Sequence, residues 1–275
     1  MLDRSRASMT RAPVAFVRGW LTERWHGLEV AQPRPTPEAT REALVVIATM
    51  CFVVTLMQYT ILSATFPDAV MDEVPRLLGR FGGERAAAWG THYQGLWRNL
   101  AWALGVIFFY LVVPATVVTN LLGRPLSDYG LRVADFRRHL PAYLLLFLPV
   151  AVGVVFASGT AEFQRAYPFY KTARGVADVT VWEVAYAAQF FSVELFFRGF
   201  VLFGLWRAIG PYAILAAVVP YTMVHFHKPL LETLGASLAG GVLGLLALST
   251  GSIWGGVLLH VAIAWLMDAL AYARG

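Results

Sequence analysis

The chain reads as an all-α polytopic transmembrane bundle of about seven spans, with six to eight as the range that uncertain run ends allow. Three observations predict it. Of 275 residues, 58% are hydrophobic and only 14% charged, and the mean hydropathy of +0.59 lies well beyond an ordinary soluble domain. Long apolar runs recur, each near the roughly 20 residues that cross the hydrocarbon as a helix. No run alternates like a barrel strand, and lipid tolerates only helices or closed barrels.

The elements follow in order. Residues 1–42 form a basic segment with seven arginines, in which Pro33, Pro35 and Pro37 make a stiff polar linker. Within it, Val14–Leu21 followed by Trp25 fits either a short amphipathic helix lying on the headgroups or a disordered tail. Spans are expected near Ala43–Phe66, Asn99–Leu122, Leu140–Ser158, Val181–Leu205, Ile209–Phe226, Leu231–Ser249 and Ile253–Leu270. A charged loop, 67–98, with short interfacial helices separates the first two, and Gly123–Arg132 is a turn-rich connector. The connector 160–180 mixes Arg165, Tyr167, Phe169, Tyr170 and Lys171 as an interface does. Gly235, Ala236, Ser237, Ala239, Gly240, Gly241 and Gly244 give the sixth span a small-residue surface, expected to be central and close-packed. The expected division is a basic segment to residue 42, N-terminal membrane helices over 43–159, and a connector with a catalytic helical core over 160–275.

Composition removes several function classes. Cys51 is the single cysteine, so neither a disulfide nor a thiolate metal cluster is available. The net charge of +5 comes from scattered loop arginines, which suit anionic headgroups better than nucleic acid. No cleavable leader is expected, and the first span serves as an uncleaved anchor. The arginine distribution weakly favours a cytoplasmic N-terminus, and the expected location is a bacterial inner (plasma) membrane.

The polar residues inside these spans carry the functional argument. Glu194 lies in Phe190-Phe191-Ser192-Val193-Glu194-Leu195-Phe196-Phe197-Arg198-Gly199-Phe200, and a carboxylate at bilayer depth costs roughly 2.5 kcal/mol or more. Arg198, one turn on, shares its helix face and can pair with it. That pair either locks the helix or serves catalysis. His225 closes the fifth span ahead of Pro229, with His227 and Lys228 as rim groups, and Glu232 opens the next helix, where a carboxylate is favoured. His260 and Asp268 lie on the last span, two turns and roughly 80 degrees apart.

An acid and two imidazoles in a wet membrane cavity suit general-base hydrolysis of an amide. The carboxylate, helped by one imidazole, draws a proton from water while the other imidazole donates to the oxyanion. Zinc held by Glu194, His225 and His260 is the second-ranked alternative, since no local metal-ligand spacing supports it.

These residues resemble the CAAX protease and bacteriocin-processing family of glutamic intramembrane proteases. That family has Glu-Glu-x-x-x-Arg, then Phe-x-x-x-His, then His-x-x-x-Asn or Asp. The similarity covers roughly Val181 to Leu270, with Val193-Glu194 and Arg198 on the first motif, Tyr221 to His225 on the second and His260 opening the third. It implies a metal-independent peptidase that activates water with glutamate and histidine, with a second histidine and an amide or acid side chain as oxyanion partners. The residues themselves lead to the expectation of an endopeptidase acting on a membrane-anchored peptide or protein, with Glu194, His225 and His260 catalytic and Arg198, Asp268 and Glu232 in support. Two departures matter. Val193 stands at the first glutamate, which the family uses as the base, and Ala264 stands at the expected Asn or Asp. They leave two expectations open, a divergent protease whose base is Glu194 and an inactive scaffold or immunity-type binder of peptide or lipid. A solute transporter is disfavoured by the lack of inverted repeats.

Overall fold

Thr36 starts the membrane-embedded part of the chain. Its extended backbone and side-chain oxygen, which accepts from the Ala39 amide at 3.2 Å, cap the helix Pro37–Tyr59, with Pro37 in the first turn, where its missing amide costs nothing. The computed structural model describes residues 4–63, 65–133, 136–226 and 228–275. It is helical throughout, with no β-strand among the described residues. His227, expected as a rim group, lies outside them.

Ten helices can be named in chain order: α1 (Arg4–Ala31), α2 (Pro37–Tyr59), α3 (Thr65–His92), α4 (Gln94–Leu121), α5 (Phe136–Ala157), α6 (Ala161–Ala166), α7 (Val176–Ile209), α8 (Tyr212–Met223), α9 (Leu230–Thr250) and α10 (Trp254–Arg274). Six of them, α2, α4, α5, α7, α9 and α10, contain stretches long and apolar enough to cross a membrane. The protein is an integral, multi-pass helical bundle. Of the open choices for the N-terminal segment, the helix is realised. It docks through Leu28, which is buried, and through Trp25, whose ring meets Tyr212 edge-on at 6.2 Å. The segment expected as a charged loop with short helices is α3, which folds back at Gly83. A φ of 71° there is open to glycine and strained for other residues.

The fifth expected span, Ile209–Phe226, is shorter than its apolar run. Gly210 (φ 57°) and Pro211 break it from α7, and Pro220 removes an amide near its other end, leaving α8 with 12 residues. At 1.5 Å per residue that is about 18 Å, against roughly 30 Å of hydrocarbon. The chain then turns before α9 begins at Leu230.

The most buried helix is α7, not the small-residue helix α9. Of the most apolar window of α7, 72% is buried, against 39% or less in the other five candidates. It packs on α4 and α10 along its first half and on α2 and α8 along its second, with Phe196, Phe197, Phe200, Leu202 and Leu205 in the main core. The glycines of α9 set its contact with α8. A Cβ on Gly240 would stand 3.1 Å from the Tyr221 ring, and one on Gly244 3.2 Å from Ile214. Two helices leave regular α geometry. In α4, π-helical turns at Phe108–Val112 and Val117–Leu121 bracket Pro114, and in α7 a π-helical stretch runs from Leu195 to Val201. Insertions of this kind concentrate at functional sites. This one begins at the residue after Glu194.

Candidate active site

Glu194 is the last residue before the π-helical stretch of α7 and is fully buried. An ionised carboxylate there needs a countercharge, and Arg198, 3% exposed, supplies it, its Nη1 donating to Oε1 at 2.9 Å. The guanidinium also stacks on Tyr221 of α8, with Cζ 3.8 Å from the ring centroid. Arg198 therefore ties α7 to α8 as well as neutralising the acid.

His260 reaches the same oxygen from α10, with Nδ1 2.9 Å from Glu194 Oε1. An ionised carboxylate only accepts, so Nδ1 carries the proton and Nε2 points away from the acid. The imidazole packs on Phe190, one turn before Glu194, at 4.2 Å between ring centroids. The other carboxylate oxygen, Oε2, is buried with no hydrogen-bond partner among the described side chains. It lies against Gly256, where a Cβ would come within 2.6 Å of it.

His225 stands just beyond α8. Its Nδ1 is 2.8 Å from the Tyr221 carbonyl, an acceptor only, so this ring also carries its proton on Nδ1 and leaves Nε2 as the free nitrogen. Tyr221 is the common wall, with its ring 4.7 Å from His225, 6.4 Å from His260 and under Arg198.

Four of the expected side chains, Glu194, Arg198, His225 and His260, thus gather around Tyr221. Asp268 and Glu232 do not join them. Asp268 is 1% exposed and accepts from Trp182 Nε1 at 3.2 Å, with the carboxyl of Glu183 in contact. Glu232 accepts from the Tyr167 hydroxyl at 2.7 Å. They form a second polar layer towards the other end of α7 and α10. Asp268 cannot reach His260 because two helical turns separate them along one rod. Nor do Glu194, His225 and His260 make a zinc site, since no three His, Cys, Asp or Glu side chains among the described residues group closely enough for a metal ion.

Three contributors escaped the sequence reading. Gly256 leaves no trace because its role is clearance. Tyr221 stands where the family motif has phenylalanine, and its ring lies between Arg198, His225 and His260. Glu183 could have been found, because it precedes Glu194 by eleven residues, three helical turns, and so shares its face.

Residues 176–266, which begin with α7 and end inside α10, match the family model of the type II CAAX prenyl endopeptidase Rce1-like proteins. This segment is similar to the Rce1-like family over about a third of the chain. Its bounds enclose the four gathered side chains and agree with the expected extent of resemblance, roughly Val181 to Leu270. The match is consistent with membership of the CAAX protease and bacteriocin-processing family. No curated protein and no solved structure matches the sequence. The matched family supports a CAAX-type intramembrane protease function in general.

Proposed function

We propose that the protein is an intramembrane endopeptidase that hydrolyses a peptide bond of a membrane-anchored peptide or protein through water activated by glutamate and histidine. The observation that carries this reading is the Glu194–His260 contact inside a helical bundle, with His225 across Tyr221. Arg198 keeps Glu194 ionised, and the unpartnered Oε2 is the oxygen that would take a hydrogen bond from the attacking water. His225, with Nδ1–H on the Tyr221 carbonyl, offers the lone pair of Nε2 to the same proton transfer. His260 is the imidazole that would donate to the oxyanion. Water oxygen then bonds to the carbonyl carbon, and its proton passes through Glu194 and His225 to the departing nitrogen as the C–N bond breaks. The proposed division of labour places this core within 160–275, with residues 43–159 as the surrounding membrane frame.

The test is the appearance of new peptide termini. Purified protein in lipid nanodiscs, given a membrane-anchored reporter peptide, is expected to yield two products by mass spectrometry. Glu194→Gln and His225→Ala, folded as judged by thermal unfolding, are expected to yield none. Undiminished turnover in both variants removes the proposal.

A second reading has its own support. Val193 is packed on the main core where the family has its first glutamate, Ala264 is buried at the third motif, and Glu194 is fully enclosed in an ion pair. An inactive scaffold that holds peptide or lipid predicts saturable binding of the reporter with no new termini.

A further inference from the structure

His225 lies on the turn after α8, outside any helix. Its imidazole is held to α8 by the Tyr221 carbonyl, 2.8 Å from Nδ1. Its amide donates to the Thr222 carbonyl at 3.0 Å, and its own carbonyl accepts from Lys228 N at 2.9 Å and from Thr233 Oγ1 at 2.7 Å. These bonds join the turn to α8 and α9, and none of them reaches α7 or α10, which carry Glu194 and His260.

Lys228 makes that connection. Its ammonium is folded inwards at 24% exposure, donates to the Tyr167 hydroxyl at 3.2 Å and stands 4.0 Å from Glu232 Oε1. It also lies 3.9 Å from the centre of the Phe169 ring and 4.8 Å from that of Tyr167. Tyr167 donates to Glu232 at 2.7 Å, which closes the cage. The cage walls belong to the connector between α6 and α7, and that connector is fastened to α10. Phe163, Tyr167 and Ala271 share a buried cluster, and the Tyr272 hydroxyl donates to the Tyr170 carbonyl at 2.6 Å. Asp268, on α10 as well, adds attraction for the ammonium. Since α10 also carries His260, the two imidazoles are referred to one frame through Lys228.

We propose that Lys228 is a positioning residue for His225, caged by Tyr167, Phe169 and Glu232 so that the turn beyond α8 holds its imidazole at a fixed distance from His260. Withdrawing an ammonium from water is costly, and a leucine would fill the space without that cost. A charge with three kinds of partner specifies one position of the turn. The proposal rests on the reading of His225 as a site imidazole, and it gives Glu232 and Asp268 a role as parts of the anchor.

The experiment has two arms on full-length protein in nanodiscs. In the first, carbethoxylation of each histidine by diethyl pyrocarbonate is followed by mass spectrometry, which needs no hydrolysis. In the second, kcat and KM are measured on the reporter peptide. Lys228→Met is expected to raise His225 labelling at least about threefold, with His26 and His139 unchanged as folding controls, and to lower kcat about tenfold at near-constant KM, as misplacement does. Lys228→Arg, which keeps the charge, is expected to recover most of both. Should Lys228→Met not fold, Tyr167→Phe removes the hydroxyl that holds the ammonium and is expected to act in the same direction. Unchanged His225 labelling in the folded Lys228→Met protein, or in Tyr167→Phe if only that variant folds, overturns the proposal. Absence of cleavage by the unaltered protein sinks the peptidase reading instead, and the labelling arm still decides the role of Lys228.

Discussion

At the scale of single residues, the site depends on where protons and carbons are permitted. His225 commits Nδ1–H to the Tyr221 carbonyl, which leaves Nε2 as its free nitrogen. Gly256 is a test of space. An alanine there places a carbon within 2.6 Å of Glu194 Oε2, so Gly256→Ala is expected to cost about 1–3 kcal/mol of stability by overpacking. The same variant should lose cleavage at least tenfold, roughly what one displaced catalytic hydrogen bond removes. Wild-type turnover and unfolding temperature would refute both. Glu194, Arg198 and the two histidines were legible in the sequence because charge in an apolar run is costly, whereas Gly256 was not, because a missing carbon carries no polarity.

At the scale of elements, α7 is held at its start by a carboxylate. Asp178 accepts from the amides of Gly175 at 2.7 Å and Arg174 at 2.8 Å and from the Tyr170 hydroxyl at 2.6 Å. This fixes the helix that carries Glu194 and ties the connector to it. Asp178→Ala is expected to lower stability by about 1–2 kcal/mol, the typical cost of a lost cap. That loss is read as a lower thermal midpoint in detergent, and no change would mean that the cap is redundant. Hydropathy located the long helices well, because their apolar runs end at charged or turn residues. It overextended α8, because the residues after Pro220 stay apolar through Val224 and Phe226 although the helix has ended. It also could not find the π-helical stretch at Leu195–Val201, because hydropathy does not register a change of helix type within an apolar run.

At the scale of the whole molecule, two sets of contacts define opposite ends of the bundle. At one end Tyr129 donates to Glu42 at 2.6 Å, Arg207 approaches Glu42 and Asp128 at 3.7 Å, and Leu131 pairs with Ser252. At the other, Tyr167 meets Glu232, Tyr272 meets Tyr170 and Arg274 reaches the Val155 carbonyl at 3.2 Å. Following the chain between these ends gives seven passages, six by long helices and one by α8 with its turn. The N-terminus and C-terminus are therefore expected on opposite faces of the membrane, with the cage of Lys228 at the C-terminal face. Protease protection of terminal tags in sealed vesicles checks this, and protection of both tags together would contradict the passage by α8.

The central claim is that Glu194 and its two imidazoles deliver water to a peptide bond within the membrane. Its most direct test is cleavage of a membrane-anchored reporter in H2¹⁸O, with both products weighed. The account predicts one heavy oxygen in the new carboxylate of the N-terminal product from the unaltered protein and no product from Glu194→Gln. Heavy oxygen incorporated at an undiminished rate by Glu194→Gln would contradict it.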